Sequence, residues 1–231
     1  MIKANCRERF TAADFEFVVE ALSKTERDSV NLIELLTDHE ARDAILDDPR
    51  LFHTILHGDA PLRISPQLYF YILTRHVLKE TGMNDRSLSD YVASLLERFS
   101  HTARMRSPAD GSEAPIQYLS DMLVALRNAS PQQNFLIRAH IGNYALFITG
   151  IFHETVQSRS QRGAPDMSYY EDMGRASYRV AAQHQVARSW DLTSVYGSLA
   201  EGFRDVRLAL NRLADSLLHL DTSHSPKISL P

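Results

Sequence analysis

The sequence predicts an all-α fold, a single multi-helix bundle of about eight or nine helices, and three observations carry that expectation. Apolar residues recur at i, i+3, i+4 and i+7 through most of the chain. Most of these runs begin on a helix-start signal, a capping Ser, Thr or Asp or a Pro in the first turn. No pair of alternating segments is closed by an Asn-Gly or Asp-Gly turn; Asp110-Gly111 sits in a polar stretch whose flanks do not alternate.

The elements follow in order. Thr11, with Asp14 three residues on, opens a segment to about Ser23 as an approximate capping box. Thr25 starts a second helix with Val30, Ile33 and Leu36 on one face. Asp38 caps a short piece to Asp47, and Pro49 allows another to His57. Ser65-Pro66 is a strong start signal for a helix that stops at Gly82. Ser87 with Asp90 opens the next, which carries Leu88, Tyr91, Val92, Leu95, Leu96 and Phe99. Residues 104–115 read as a loop and a possible subdomain break. Beyond it lie a helix over 116–129 and a central apolar helix from Pro131 to about Arg159. A turn at 161–165 leads into Met167–Arg188.

The last helix is the most periodic. Leu192, Tyr196, Leu199, Phe203, Val206, Leu210, Leu213, Leu217 and Leu220 alternate spacings of 4 and 3. Such an unbroken heptad register is a coiled-coil seam. One continuous helix over Trp190–Leu220 would span roughly 46 Å. The seam serves either as bundle packing or as a homodimer interface over 192–220. Residues 1–220 form one helical domain on this reading, and 221–231 a disordered tail.

Composition narrows function by exclusion. With 231 residues, 44% of them apolar and 23% charged, the chain can bury a substantial core and is no low-complexity polymer. A net charge of −4 and a pI near 6.2 argue against a broadly basic nucleic-acid binder. Asp38, Glu40, Asp43, Asp47 and Asp48 further oppose docking on phosphates. The N-terminus lacks a secretory h-region, and Arg138, His140 and Asn143 interrupt the most apolar stretch, Phe135–Phe152. A cytoplasmic protein that neither crosses nor binds a membrane is expected. The lone Cys6 excludes an intramolecular disulfide framework. Neither a Gly-x-Ser-x-Gly elbow nor a glycine-rich phosphate loop is present.

Two groups remain as sites. Polar residues on an apolar helix are the informative ones, so Arg138, His140 and Asn143, with Tyr170, Arg175 and Tyr178, are candidates to line a pocket for a small, possibly anionic ligand. Arg138 needs solvent or a carboxylate, for which Glu171 and Asp172 are the candidates. His53 and His57 share a helical face at metal-ligand spacing, but Thr54 stands where a zincin has its Glu. The pair is a weak metal candidate, and no cofactor is implied. The balance points to a self-associating interaction or regulatory protein without catalytic activity. Small-molecule binding or catalysis at the Arg138 cluster is the alternative.

Overall fold

The computed structural model describes residues 1–57, 63–100 and 119–224, and the side chains of these up to 217. Among them are thirteen α-helices and no strand, so the chain is all-helical and more finely divided than eight or nine helices. They are α1 (Ala12–Leu22), α2 (Glu26–Thr37), α3 (His39–Leu46), α4 (Pro49–His57), α5 (Pro66–Glu80) and α6 (Arg86–Phe99). Then come α7 (Leu119–Ala125), α8 (Pro131–Ile151), α9 (His153–Ser160), α10 (Met167–Ala182), α11 (Gln185–Ser189), α12 (Thr193–Glu201) and α13 (Phe203–His224). The loop expected at 104–115 lies outside the described residues. The helix α13 runs to His224, and the rest of the tail expected over 221–231 lies outside the described residues.

Local chemistry sets the starts. Thr11 and Thr25 each form a reciprocal capping box, with Asp14 and Asp28. Asp38 and Ser65 cap α3 and α5, and Ser130 forms a third box with Gln133 ahead of Pro131. The start of α6 differs from expectation. Asp85 is the cap, taking the Ser87 and Leu88 amides, which frees Asp90 for another role. Gly82 ends α5 at φ +85°, a left-handed turn that lets the Met83 amide reach the Leu78 carbonyl.

Two long helices are broken where the apolar pattern runs on. The segment expected to be continuous from 131 to 159 bends by 91° between α8 and α9. The physical cause is Asn211 on α13. Its side-chain amide donates to the Thr149 and Gly150 carbonyls at 2.7 and 2.8 Å, taking acceptors a continuing helix would need for residues 153 and 154. Likewise the 192–220 helix is not one rod: Gly202 separates α12 from α13. Met167–Arg188 also divides, with His184 capping the short α11 through its Nδ1.

The largest helix contact is α8 on α10, followed by α5 on α6, α10 on α12 and α13 on α8. Small residues permit these approaches. A methyl at Gly142 would lie 2.7 Å from the Tyr178 ring, and one at Gly150 2.9 Å from Leu210. One continuous core runs through α1, α4–α6, α8, α10, α12 and α13, with a satellite in which Leu119 and Met122 of α7 meet Ile137 and Ile141 of α8. Leu192, Tyr196, Leu199, Phe203, Val206, Leu210 and Leu213 are all buried within this one chain. From Leu192 to Leu213 the heptad seam is therefore filled by the protein's own helices. A dimer through 192–220 would require these side chains to leave the core.

Among the described residues no single helix is long and apolar enough to cross a membrane. The bent α8–α9 pair passes that test only when its two parts are taken together.

Candidate functional site

The polar residues expected to converge on a ligand divide among different roles. Asn143 and Tyr178 meet: the Tyr178 hydroxyl donates to Asn143 Oδ1 at 2.7 Å, and the Tyr91 hydroxyl donates to the same oxygen at 2.9 Å. Tyr91 also lies 3.3 Å from the Tyr196 hydroxyl, and Tyr196 stacks on Tyr178 with ring centroids 5.6 Å apart. These groups join α6, α8, α10 and α12 in the core. Burial pushes the Tyr91 and Tyr178 phenols well above their ordinary value and Tyr196 up to about 12. All three are therefore neutral hydrogen-bonding groups near neutral pH.

His140 and Asn143 line a cavity of about 10 Å³, bounded also by Met1, Ile2, Arg98, Phe99, Leu136 and Ala139. That is room for about one water molecule. Arg138, Tyr170, Arg175 and Tyr178 are not among its walls. Arg175 donates from Nε to the Ala200 carbonyl at 3.3 Å. Glu171, expected as a partner of Arg138, instead takes the Nε of the buried Arg207 at 2.6 Å, while Arg138 Nε is buried without a hydrogen-bond acceptor. Tyr170 packs edge-on against Tyr169 beside the satellite core.

His53 and His57 lie on one face of α4, as their spacing requires, with rings nearly parallel and 6.2 Å apart. The nearby His76 is stacked on Phe52 at 3.8 Å and pairs with Glu80 at 3.3 Å. Its burial holds its pKa below the ordinary histidine value against the pull of Glu80. A different set could hold a cation: donor atoms of His153, Glu154 and Asp215 all lie within 4.8 Å of one another where α9 meets α13.

The features that sequence reasoning missed gather at the N-terminal helices. A groove of about 750 Å³ runs between α1 and α2, walled by Phe15, Val19, Ile33 and Leu36 and rimmed by Glu16, Glu20 and Arg42. Val30, Ile33 and Leu35 are 64%, 57% and 48% exposed. Of the apolar face Val30, Ile33 and Leu36, only Leu36 is buried. Beyond Phe15 and Arg42, which border both spaces, lies a second cavity of about 510 Å³. It is lined by Ala4, Arg7, Glu8, Phe10, His39, Asp43 and Asp90 as well. Beneath it Asp47 binds Arg75 at 2.7 and 2.9 Å and also meets Lys79 and Arg86, anchoring the α3–α4 junction to α5 and α6. Despite its burial, Asp47 is held below the usual carboxylate range by these cations, Arg75 first.

No family model matches the chain, and neither the curated proteins nor the solved structures compared with it give a match.

Proposed function

We propose that the protein is a helical interaction protein whose docking surface is the α1–α2 groove, and that its occupant is a basic amphipathic helix of a partner. The observation carrying this reading is a 750 Å³ groove with an apolar wall of Phe15, Val19 and Ile33, of which Ile33 is 57% exposed, with the exposed Val30 one turn before it on α2. Contiguous exposed apolar surface rimmed by polar groups is what helix-in-groove recognition uses. Charge favours a basic partner: residues 11–38 carry seven acidic side chains, of which Asp14 is buried and Glu20 is paired with Arg63, against two basic ones. Two copies of that surface repel, whereas a helix with lysines flanking its leucines is attracted and correctly registered.

The test uses the full chain and an 18-residue model peptide with leucines on one helical face and lysines on the other. Its control is the leucine/glutamate counterpart. Fluorescence anisotropy is expected to give micromolar binding of the lysine peptide, and Ile33→Glu about a tenfold or greater loss. Ile33 is on the surface, so the variant folds. Equal binding of the two peptides, or affinity indifferent to Ile33→Glu, overturns the proposal. So does a concentration-dependent dimer in light scattering that Ile33→Glu abolishes, which would assign the face to a second copy.

A further inference from the structure

Three metal-ligating side chains meet at the corner where α9 packs on α13. Donor atoms of His153, Glu154 and Asp215 all lie within 4.8 Å of one another. The first two open α9, directly after the 91° bend that separates it from α8. Asn211 holds that bend through the Thr149 and Gly150 carbonyls, and Asp215 stands one turn further along the same face of α13. One helix face therefore fixes the corner and supplies the third ligand.

Charge and spacing both suit a bound cation. Among the described residues no Lys or Arg lies within ion-pair distance of Glu154 or Asp215. Asp215 meets only the His153 imidazole, Nε2 to Oδ1 at 3.3 Å, and the Glu154 side chain has neither an ion pair nor a hydrogen bond. His153 carries at most one positive charge, so the two carboxylates keep at least one negative charge uncompensated. The 3.3 Å separation is long for an ionic hydrogen bond, which closes to about 2.7–2.9 Å. It matches the edge of a tetrahedral site, about 3.3–3.4 Å when ligands stand about 2.0–2.1 Å from the ion. Nδ1 of His153 is buried without a partner, which leaves Nε2 as the nitrogen turned toward the carboxylates. Glu154 is exposed, and rotation of its side chain closes the remaining gap.

We propose that His153 Nε2, Glu154 and Asp215 form a binding site for a divalent transition-metal ion of the zinc type, with the fourth position left to solvent. The imidazole sets the class of ion, because magnesium and calcium take oxygen ligands whereas zinc accepts one nitrogen and two carboxylates. Coordination ties α9 to α13 across the corner that Asn211 makes. The site does not rest on the docking reading, whose groove belongs to α1 and α2. His53 and His57 are the internal comparison: among the described residues no third His, Cys, Asp or Glu completes a group with them.

The experiment uses the full chain without a histidine tag, stripped with EDTA and titrated with zinc chloride and with magnesium chloride by calorimetry. One zinc ion is expected to bind with a Kd of about 10 μM or tighter, and magnesium about tenfold or more weakly than zinc. Asp215→Asn and Glu154→Gln should each weaken zinc about tenfold, and His153→Ala should abolish the binding. Glu154 is exposed and Asp215 is 46% exposed, so these two variants keep the fold, which circular dichroism checks. His53→Ala with His57→Ala should leave the zinc affinity unchanged. In NMR spectra zinc should move the His153 ring resonances while those of His53 and His57 stay in place. The inference is overturned by the absence of saturable zinc binding, by equal affinity for magnesium, or by an affinity indifferent to Asp215→Asn and Glu154→Gln. Zinc binding lost in His53→Ala/His57→Ala overturns it as well, since the ion would then sit on α4.

Discussion

Asn143 shows how one side chain can organise several helices. Its Oδ1 is the shared acceptor for two buried tyrosine hydroxyls, from α6 and α10, which burial keeps protonated. Removing a donor together with its need for a partner is cheap, whereas removing the acceptor strands the Tyr178 hydroxyl and leaves Tyr91 only its longer contact with Tyr196. Tyr178→Phe is therefore expected to cost about 1 kcal/mol, and Asn143→Leu about 2–4 kcal/mol, by urea denaturation. Comparable losses for the two would show that Asn143 acts through packing alone. Sequence marked Asn143 and Tyr178 as informative because a polar group on an apolar helix must find a partner. It did not reveal Tyr91 or Tyr196, whose periodicity is that of ordinary core residues. The cavity acids were hidden for a different reason. Asp90 and Asp43 lie 83 and 36 positions from Arg7, and no local spacing encodes such a meeting.

At the scale of elements, most starts in the N-terminal half were legible, and the breaks inside long apolar runs were not. A cap is a local event of four residues, so Thr11, Thr25, Asp38 and Ser65 announce their helices, as Pro131 does for α8. The breaks after Ile151 and Glu201 fall inside uninterrupted apolar periods, and the first is imposed by Asn211 from another helix. The glycines of these helices separate the two influences. Gly142 faces the Tyr178 ring, whereas a methyl at Gly197 in α12 would meet nothing within 4 Å. Gly197→Ala is expected to raise stability by about 0.5–1 kcal/mol through helix propensity. Gly142→Ala gains the same propensity but must displace a buried ring, costing about 1–3 kcal/mol and giving a net loss. Thermal denaturation of the pair decides it: stabilisation by both would mean that α8 and α10 can separate without penalty. The α2 groove shows the limit of periodicity, since Val30, Ile33 and Leu36 repeat identically whether they face a core or a partner.

For the molecule as a whole, the decisive feature is where the heptad seam points. Its residues from Leu192 to Leu213 are buried against α5, α6, α8 and α10 of the same chain, across a break at Gly202 that no continuous coiled coil would contain. Folded domains of this kind are stable by only about 5–15 kcal/mol. Truncating a buried leucine to alanine already costs about 2–5 kcal/mol, and a carboxylate placed there adds the penalty of an unpaired buried charge. Leu210→Glu with Leu213→Glu therefore exceeds what the fold can absorb, and circular dichroism is expected to show loss of cooperative helical structure at room temperature. Val30→Glu with Ile33→Glu alters equally apolar positions of equal helical spacing but leaves the fold intact, because water already reaches them. A folded, monomeric Leu210→Glu/Leu213→Glu chain would place the seam on the surface. The molecule would then associate through its C-terminal helices and not present the N-terminal groove as its docking face.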